Sequence, residues 1–387
     1  SPPPPSTPRA LPLDELAAVT QGFDAARVIG AGGFGVVFKA ALSPALARLL
    51  ALPASTDALA VKRLSVGGSQ GERELRAEIN VLSRCHHPHL LPLRGYSLDE
   101  RSPCLVYPLM RGGSLEDRLM MTADGAARLA MLGFASPPPP LPWQARVRIL
   151  RDTLRALVYL HQTASPQVLH RDLKASNILL DASGVAQLSD VGLAKEAAAD
   201  APHNQTHMST LNVVKGTQGY MDPLLVQGMQ PSTLTDGFAA GITVLVALVG
   251  RPATGLMNAC RHLIRNPDRP ERWQAPGLPD VSAGEWPVEV QRALAAVVAG
   301  LTEQFKEDRM PVPDALRELE AIAEAAGPPP PGSVEAGLAA LSLDAAPAAA
   351  ALAAPPQREC AVCMDAPPAG RFRCGHACCC AGCLLQL

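Results

Sequence analysis

The chain has 387 residues, 48% of them hydrophobic and 18% charged, with a formal net charge of -2. That is enough for one large domain or two smaller ones with a buried core, and the near balance of charge gives no electrostatic reason to expect nucleic acid or an anionic membrane as partner. No stretch reaches the roughly 18–20 consecutive apolar residues of a membrane-spanning helix, and no charged-then-apolar leader opens the sequence, which starts at Ser1 rather than Met. Only 4% of the residues are aromatic, so the core must be packed from Leu, Val and Ala. The 38 prolines cluster at 1–12, 137–142, 328–331 and 355–356 and read as linkers or loop insertions.

The first informative element is the glycine-rich run Ile29, Gly30, Gly32, Gly35 and Val37, spaced G-x-G-x-x-G-x-V. Missing side chains let backbone N–H groups come close to phosphate oxygens. A dinucleotide-binding turn has the same glycines but needs a helix next, whereas Val36-Val37-Phe38 favour a strand. Ala60-Val61-Lys62 then supplies a lysine on a strand-like run. Residues 72–84 carry Leu75, Ile79 and Leu82 at helical spacing, with Glu74 and Glu78 as candidate partners for Lys62.

Residues 141–162 read as a helix, with Val147, Leu150, Leu154, Leu157 and Leu160 on one face. That helix leads to His170-Arg171-Asp172-Leu173-Lys174-Ala175-Ser176-Asn177. A carboxylate, an ammonium and a carboxamide so close together are what phosphoryl transfer needs to orient a hydroxyl, steady a phosphate and hold a metal ion. A second carboxylate follows in Ser189-Asp190-Val191-Gly192. The apolar run 239–250 is too short to span a membrane and fits a buried helix.

Cysteine placement is uneven. Cys85, Cys104 and Cys260 are scattered and expected to be reduced and buried, while the other seven of ten lie between Cys360 and Cys383. There, Cys360-x2-Cys363 and Cys374-x-His376-x3-Cys380-x2-Cys383 have zinc-ligand spacing.

Taken together, the glycine-rich run, Lys62, the Asp172 segment and Asp190 resemble eukaryotic protein kinases. Leu11–Phe23, His86-His87-Pro88-His89-Leu90, Leu105-Val106-Tyr107, Gly113-Ser114-Leu115 and the run from Gly216 to Pro223 extend the likeness to the plant receptor-like, Pelle-like Ser/Thr kinases over about 10–325. The resemblance implies an α+β, bilobal kinase fold. It places a Pro-rich segment at 1–22, the kinase domain at 23–325 (N-lobe about 23–107, C-lobe about 111–325) and a Pro/Ala-rich linker at 326–357. A partial RING-type zinc finger then occupies 358–387.

The resemblance also assigns roles. Asp172 orients the substrate hydroxyl, Lys174 neutralises the transferring phosphoryl and marks Ser/Thr specificity, and Asn177 and Asp190 hold Mg²⁺. Lys62 contacts the ATP phosphates. Glu78 is favoured over Glu74 because it aligns with the glutamate preceding the Leu-Ser-Arg-x-His-His run of receptor-like kinases. Ile29, Gly30, Gly32, Gly35 and Val37 enclose ATP. Tyr107 falls at the gatekeeper position, and Pro108, Leu109 and Met110 form the hinge, with Met110 giving adenine its N–H. Asp236 braces the catalytic-loop backbone, and Arg171 points to activation-loop phosphorylation at Thr206, Ser209 or Thr210.

The chain departs from the family at Pro108, at Val191 in place of Phe, and at Leu224 in place of a Glu that pairs with a buried Arg, here Arg309. Either Asp308 or another acid then substitutes, or the large lobe is weakened. Segments 42–57 and 120–140 look like insertions in surface loops.

The cysteine tail resembles a RING finger of the inhibitor-of-apoptosis type. Cys360, Cys363, Cys380 and Cys383 would complete one Zn²⁺ site, while Cys374 and His376 need a distal Cys-x-x-Cys. Cys378 and Cys379 are poor stand-ins because adjacent residues point apart, and a disulfide reading does not suit a cytosolic kinase. The expected function is therefore an ATP-, Mg²⁺-dependent Ser/Thr protein kinase with a Zn²⁺-binding module. The alternatives are a pseudokinase scaffold, and a ubiquitin ligase regulated by its kinase region and partnered by a ubiquitin-conjugating enzyme. Expected partners are a protein substrate and an upstream receptor or kinase, in the cytoplasm, with any membrane association supplied by a partner.

Overall fold

The computed structural model describes residues 7–32, 35–52, 56–64, 69–196, 216–265, 279–327, 370–371 and 377–379. It divides into two units, Ser1–Leu341 and Ser342–Leu387.

The first unit opens with β1 (Arg9–Ala10), α1 (Leu13–Val19), β2 (Val28–Gly32), β3 (Gly35–Ala41), α2 (Pro44–Leu49), β4 (Ala58–Arg63), α3 (Ser69–Arg84), β5 (Gly95–Ser97) and β6 (Cys104–Pro108). The strands form one six-stranded sheet in the order β1-β5-β6-β4-β3-β2. Alternate residues of a strand face opposite ways, and this sheet uses both faces. Leu59 and Val61 of β4, with Ala40, Cys104 and Val106, pack in an outer core under Leu16, Val19, Leu46 and Leu50. Ala60, Leu105 and Tyr107 belong to the main core on the other side, with Leu75 and Leu82 of α3.

Two expectations change here. The sheet starts before residue 23: Arg9 pairs in parallel with Gly95, so part of the opening segment closes the sheet edge. Segment 42–57 contains α2, started by Ser43, whose hydroxyl accepts from the Leu46 N–H at 3.1 Å, with Pro44 in its first turn. Leu46 and Leu50 of that segment are 1% and 3% exposed. Its apolar residues cover the outer face of the sheet, which would otherwise lie bare.

The helical part comprises β7 (Gly113–Ser114), α4 (Leu115–Met120), α5 (Ala123–Leu132), α6 (Trp143–Val158), β8 (Val168–Leu169), β9 (Ile178–Leu180), β10 (Ala186–Leu188), β11 (Lys195–Glu196) and α7 (Pro223–Val226). It continues through α8 (Thr233–Val249), α9 (Leu256–Ile264), α10 (Val288–Leu301) and α11 (Val312–Ala326). α6 packs on α11 and α8 on α10. The five apolar residues expected to face inward between 141 and 162 are all buried.

α8 begins with a capping box between Ser232 and Thr235, and every residue from Thr235 to Val249 is buried. Its apolar run is core. No helix among the described residues is long and apolar enough to cross a membrane. Cys85, Cys104 and Cys260 are buried. A bilobal kinase fold, sheet-rich then helical, accounts for this unit.

In the second unit, β12 (Gly370–Arg371) pairs antiparallel with β13 (Ala377–Cys379). Cys360, Cys363, Cys374, His376, Cys380 and Cys383 lie outside the described residues. Among the described residues no cluster of His, Cys, Asp or Glu could hold a metal ion.

Candidate active site

Strand alternation decides the first part of the site. Val61 goes to the outer core, so Lys62 points to the opposite face, into the cleft beneath the sheet. There its ammonium lies 3.1 Å from Glu78 Oε2 and 2.9 Å from Asp190 Oδ1. Of the two candidate glutamates, Glu74 and Glu78, the structure puts Glu78 on Lys62. Tyr107 donates its hydroxyl to Glu78 Oε1 at 2.6 Å, so the glutamate is held from two sides.

Burial pushes the Lys62 ammonium down, but Glu78 and Asp190 outweigh it and hold it above its ordinary value. Burial likewise pushes Asp190 up, and Lys62 outweighs it, leaving the carboxyl below the usual range. Glu78 is the more enclosed of the two acids, and burial raises it against the pull of Lys62.

The second part is the loop from His170 to Asn177, fixed from below by α8. Asp236 accepts the backbone N–H groups of His170 and Arg171, each at 2.8 Å, and contacts His161 Nε2 at 2.8 Å. Burial alone would raise the Asp236 carboxyl, but His161, His170 and the Arg171 N–H hold it down. This bracing lets Arg171 take a φ of 67°, a region that non-glycine residues seldom occupy. His170 accepts the Asp172 N–H on Nδ1 at 3.2 Å, and its Nε2 faces the Ser189 carbonyl at 3.1 Å. The imidazole thus ties the two acidic loops together.

Asp172 is surrounded by donors. Its Oδ1 accepts the Thr217 hydroxyl at 2.7 Å, and its Oδ2 lies 2.9 Å from Lys174 Nζ. Asn177 Nδ2 donates to the Asp172 carbonyl at 2.8 Å and to Oδ2 at 3.1 Å. Lys174 also donates to Thr217 Oγ1 at 2.8 Å. With its amide nitrogen so engaged, Asn177 keeps its carbonyl oxygen for another partner. An amide oxygen and the Asp190 carboxylate are the hard donors that suit Mg²⁺.

Between the lobes lies a cleft of about 440 Å³, within the range of small-molecule sites. Ile29, Gly30, Gly32, Gly35, Val37, Lys62, Glu78, Met110, Lys174, Asn177 and Asp190 all line it. Gly35 is irreplaceable sterically: at φ 137°, a Cβ there would lie 2.2 Å from the Arg63 carbonyl oxygen. Gly32 meets nothing within 4 Å where a Cβ would sit, so its backbone is open to a ligand's phosphates. The residues present fit ATP and Mg²⁺.

Leu224 does not leave Arg309 without a carboxylate, for a reason the sequence did not single out. Asp222, two residues earlier, takes Arg309 in a bidentate ion pair, with Nη2 to Oδ1 at 2.9 Å. Asp308 stays exposed. Arg309 also stacks over Phe238 and donates Nε to the Glu303 carbonyl at 2.8 Å. Val191 is 1% exposed and packs in the main core. Arg171 donates to the Leu193 carbonyl at 3.2 Å. Its suggested partners Thr206, Ser209 and Thr210 lie outside the described residues.

Sequence reasoning missed Thr217, which bridges Asp172 and Lys174. The only signal was its place in the Gly216-Thr217 motif. It also missed Arg128 and Leu132, which reach the cleft from an unexpected helix.

Comparison with known proteins gives four concordant findings, one family model and three relatives. A family model described as "Protein kinase domain" matches residues 23–318. The chain is 38% identical over 238 residues to the proline-rich receptor-like protein kinase PERK8 of Arabidopsis thaliana, covering 62% of this chain and 31% of that protein. It is 40% identical over 246 residues to the probable serine/threonine-protein kinase PBL11 of the same plant, covering 62% and 57%. An EPD1-interacting receptor-like cytoplasmic serine/threonine-protein kinase, 5D, of Gossypium barbadense is 39% identical over 240 residues, covering 62% and 47%. The chain thus spans between a third and somewhat over half of the length of these relatives.

Proposed function

The chain belongs to the protein kinase family, and from that premise we propose that it transfers the γ-phosphate of ATP to serine or threonine hydroxyls of a protein. One observation carries this reading: Lys62, Lys174, Asn177 and Asp190 line one cleft, with Glu78 already on Lys62, and Asp172 stands at its edge, 2.9 Å from Lys174. The substrate oxygen bonds to the γ-phosphorus as the bond to the bridging oxygen of ADP breaks. The hydroxyl proton passes toward the Asp172 carboxylate. Lys174 balances charge on the phosphoryl group in flight, and Lys62 holds the nucleotide phosphates. Asn177 and Asp190 would hold Mg²⁺, which supplies charge neutralisation between the phosphates. Thr217 bonds to both Asp172 and Lys174 and fixes their relative placement, a positioning role.

The test is transfer of labelled γ-phosphate from Mg·ATP to a generic protein substrate, followed by phosphoamino-acid analysis. Phosphoserine or phosphothreonine is expected. A well-folded protein that transfers nothing, before and after treatment with an upstream kinase, would make the domain a scaffold. The relatives named as receptor-like cytoplasmic kinases support a cytoplasmic protein acting beneath a receptor.

The cysteine tail carries a separate proposal, resting on spacing alone: 358–387 binds one Zn²⁺ through Cys360, Cys363, Cys380 and Cys383. Elemental analysis of the purified chain should give about one zinc per molecule, lost in Cys360→Ser. An unchanged zinc content would remove that reading, and with it any partner of the ubiquitin-conjugating class.

A further inference from the structure

Segment 120–140 is more than a loop insertion. Thr122 caps α5 by accepting the Gly125 N–H at 3.1 Å, and Gly133 ends it in the left-handed region at φ 113°. α5 sits firmly on the helical lobe. Leu129 is 1% exposed and packs with Phe134. Arg128 Nε donates to Asp117 on α4 at 3.1 Å. A Cβ on Gly113 would come within 2.5 Å of Leu129 Cδ2, so the seat is cut to fit.

The other side of α5 touches the sheet lobe. It packs against β2, the first strand of the glycine-rich roof, and its Arg128 and Leu132 line the cleft. Across the gap, Lys39 of β3 donates its ammonium to the Met131 carbonyl at 3.0 Å. Met131 lies in the last turn of α5, where carbonyls lack partners within the helix and favour a cation. An ion pair between the lobes, Arg111 with Asp57, stands in the same neighbourhood, close enough that both groups act electrostatically on Lys39.

We propose that α5 is a strap across the mouth of the nucleotide cleft, and that its release from Lys39 and β2 gates nucleotide entry and exit. The proposal rests on the reading that the cleft takes ATP. Roof and floor of the cleft meet where β2 meets α5. A nucleotide can pass there only when the two separate. Leu129 is buried in the large lobe and Arg128 adds several bonds to Asp117, while the small-lobe attachment of α5 is one hydrogen bond and a packing edge, so separation occurs at the small-lobe side. The Lys39 hydrogen bond restrains that motion without adding a contact to the ligand. Its loss must therefore speed binding and release together.

The test is stopped-flow binding and displacement of a fluorescent ADP analogue on the full chain with Mg²⁺. Lys39 does not line the cleft. In Lys39→Met both rate constants should rise by about tenfold, the worth of one charge-assisted hydrogen bond, with Kd held within about twofold. Lys39→Arg, which keeps a donor, should restore slow exchange. Should Lys39→Met fail to fold, Lys39→Gln, which removes the charge at similar length, should also raise both rates. Unchanged rates in these variants, or a rise in release alone, would overturn the strap while leaving nucleotide binding intact. A wild type that binds no nucleotide would instead overturn the kinase reading, and the strap with it.

Discussion

Asp172→Asn will lower phosphoryl transfer by about 10²- to 10⁴-fold, the range for losing a positioned general base, while nucleotide affinity stays within a few-fold. The two effects separate because of where the side chain sits. Its carboxylate faces Thr217, Lys174 and Asn177, and Asp172 is absent from the lining of the nucleotide cleft. The amide nitrogen of an asparagine must replace one carboxylate oxygen. If it replaces Oδ1, it meets the Thr217 hydroxyl, which then has to turn. If it replaces Oδ2, it meets the Lys174 ammonium, donor against donor. Either way a negative charge is lost beside Lys174, and the proton acceptor is gone. Measuring kcat with a peptide substrate and Kd for ADP on the same preparation checks both halves. Transfer retained within tenfold would show that Asp172 does not carry the proton.

Asp222→Ala will destabilise the first unit by about 3–5 kcal/mol, the cost of leaving one charge of a buried pair uncompensated. Arg309 is 6% exposed and Asp222 is 1% exposed, so water cannot take over the missing acceptor. The alanine also removes the acceptor that starts α7, where Asp222 Oδ1 receives the Leu224 N–H at 3.0 Å. Urea titration of the wild type and variant gives the difference directly. Leu224→Glu in the wild type should shift stability by no more than about 1 kcal/mol, since all the guanidinium nitrogens of Arg309 already have acceptors. A loss below about 1 kcal/mol in Asp222→Ala would mean that the pair is dispensable.

Much of this site was legible because its chemistry is written in short runs. Asp172, Lys174 and Asn177 lie on one loop, and Lys62 ends the short strand-like run Ala60-Val61-Lys62. Glu78 needed helical spacing and a family likeness to be chosen over Glu74. The remainder depends on distance in space. Nothing near Leu224 in sequence announces that Asp222 will turn toward Arg309, since that depends on how α7 meets the loop before α11. Segments 42–57 and 120–140 read as loops because proline, alanine and glycine obscure their helical periods. Each nevertheless buries a few leucines against a surface that only the folded chain creates. The opening segment is similar: two residues of strand are too few for any periodicity, yet an unpaired sheet edge is enough to recruit them.

The alternation along β4 sets a rule about where this chain can change length. Leu59 and Val61 are clamped in the outer core, and Lys62 hangs on the opposite face as their neighbour. Residues added to the connection between β3 and β4 cost little, and α2 occupies that connection now. A single residue added within β4 would do something different. The outer core would pull the next apolar side chain into place, and the ammonium would rotate out of the cleft and into packed leucine and valine. The apolar stitching on the back of the sheet is therefore a ruler that keeps the catalytic charge in phase, and insertions can accumulate on one side of Ala58 but not on the other.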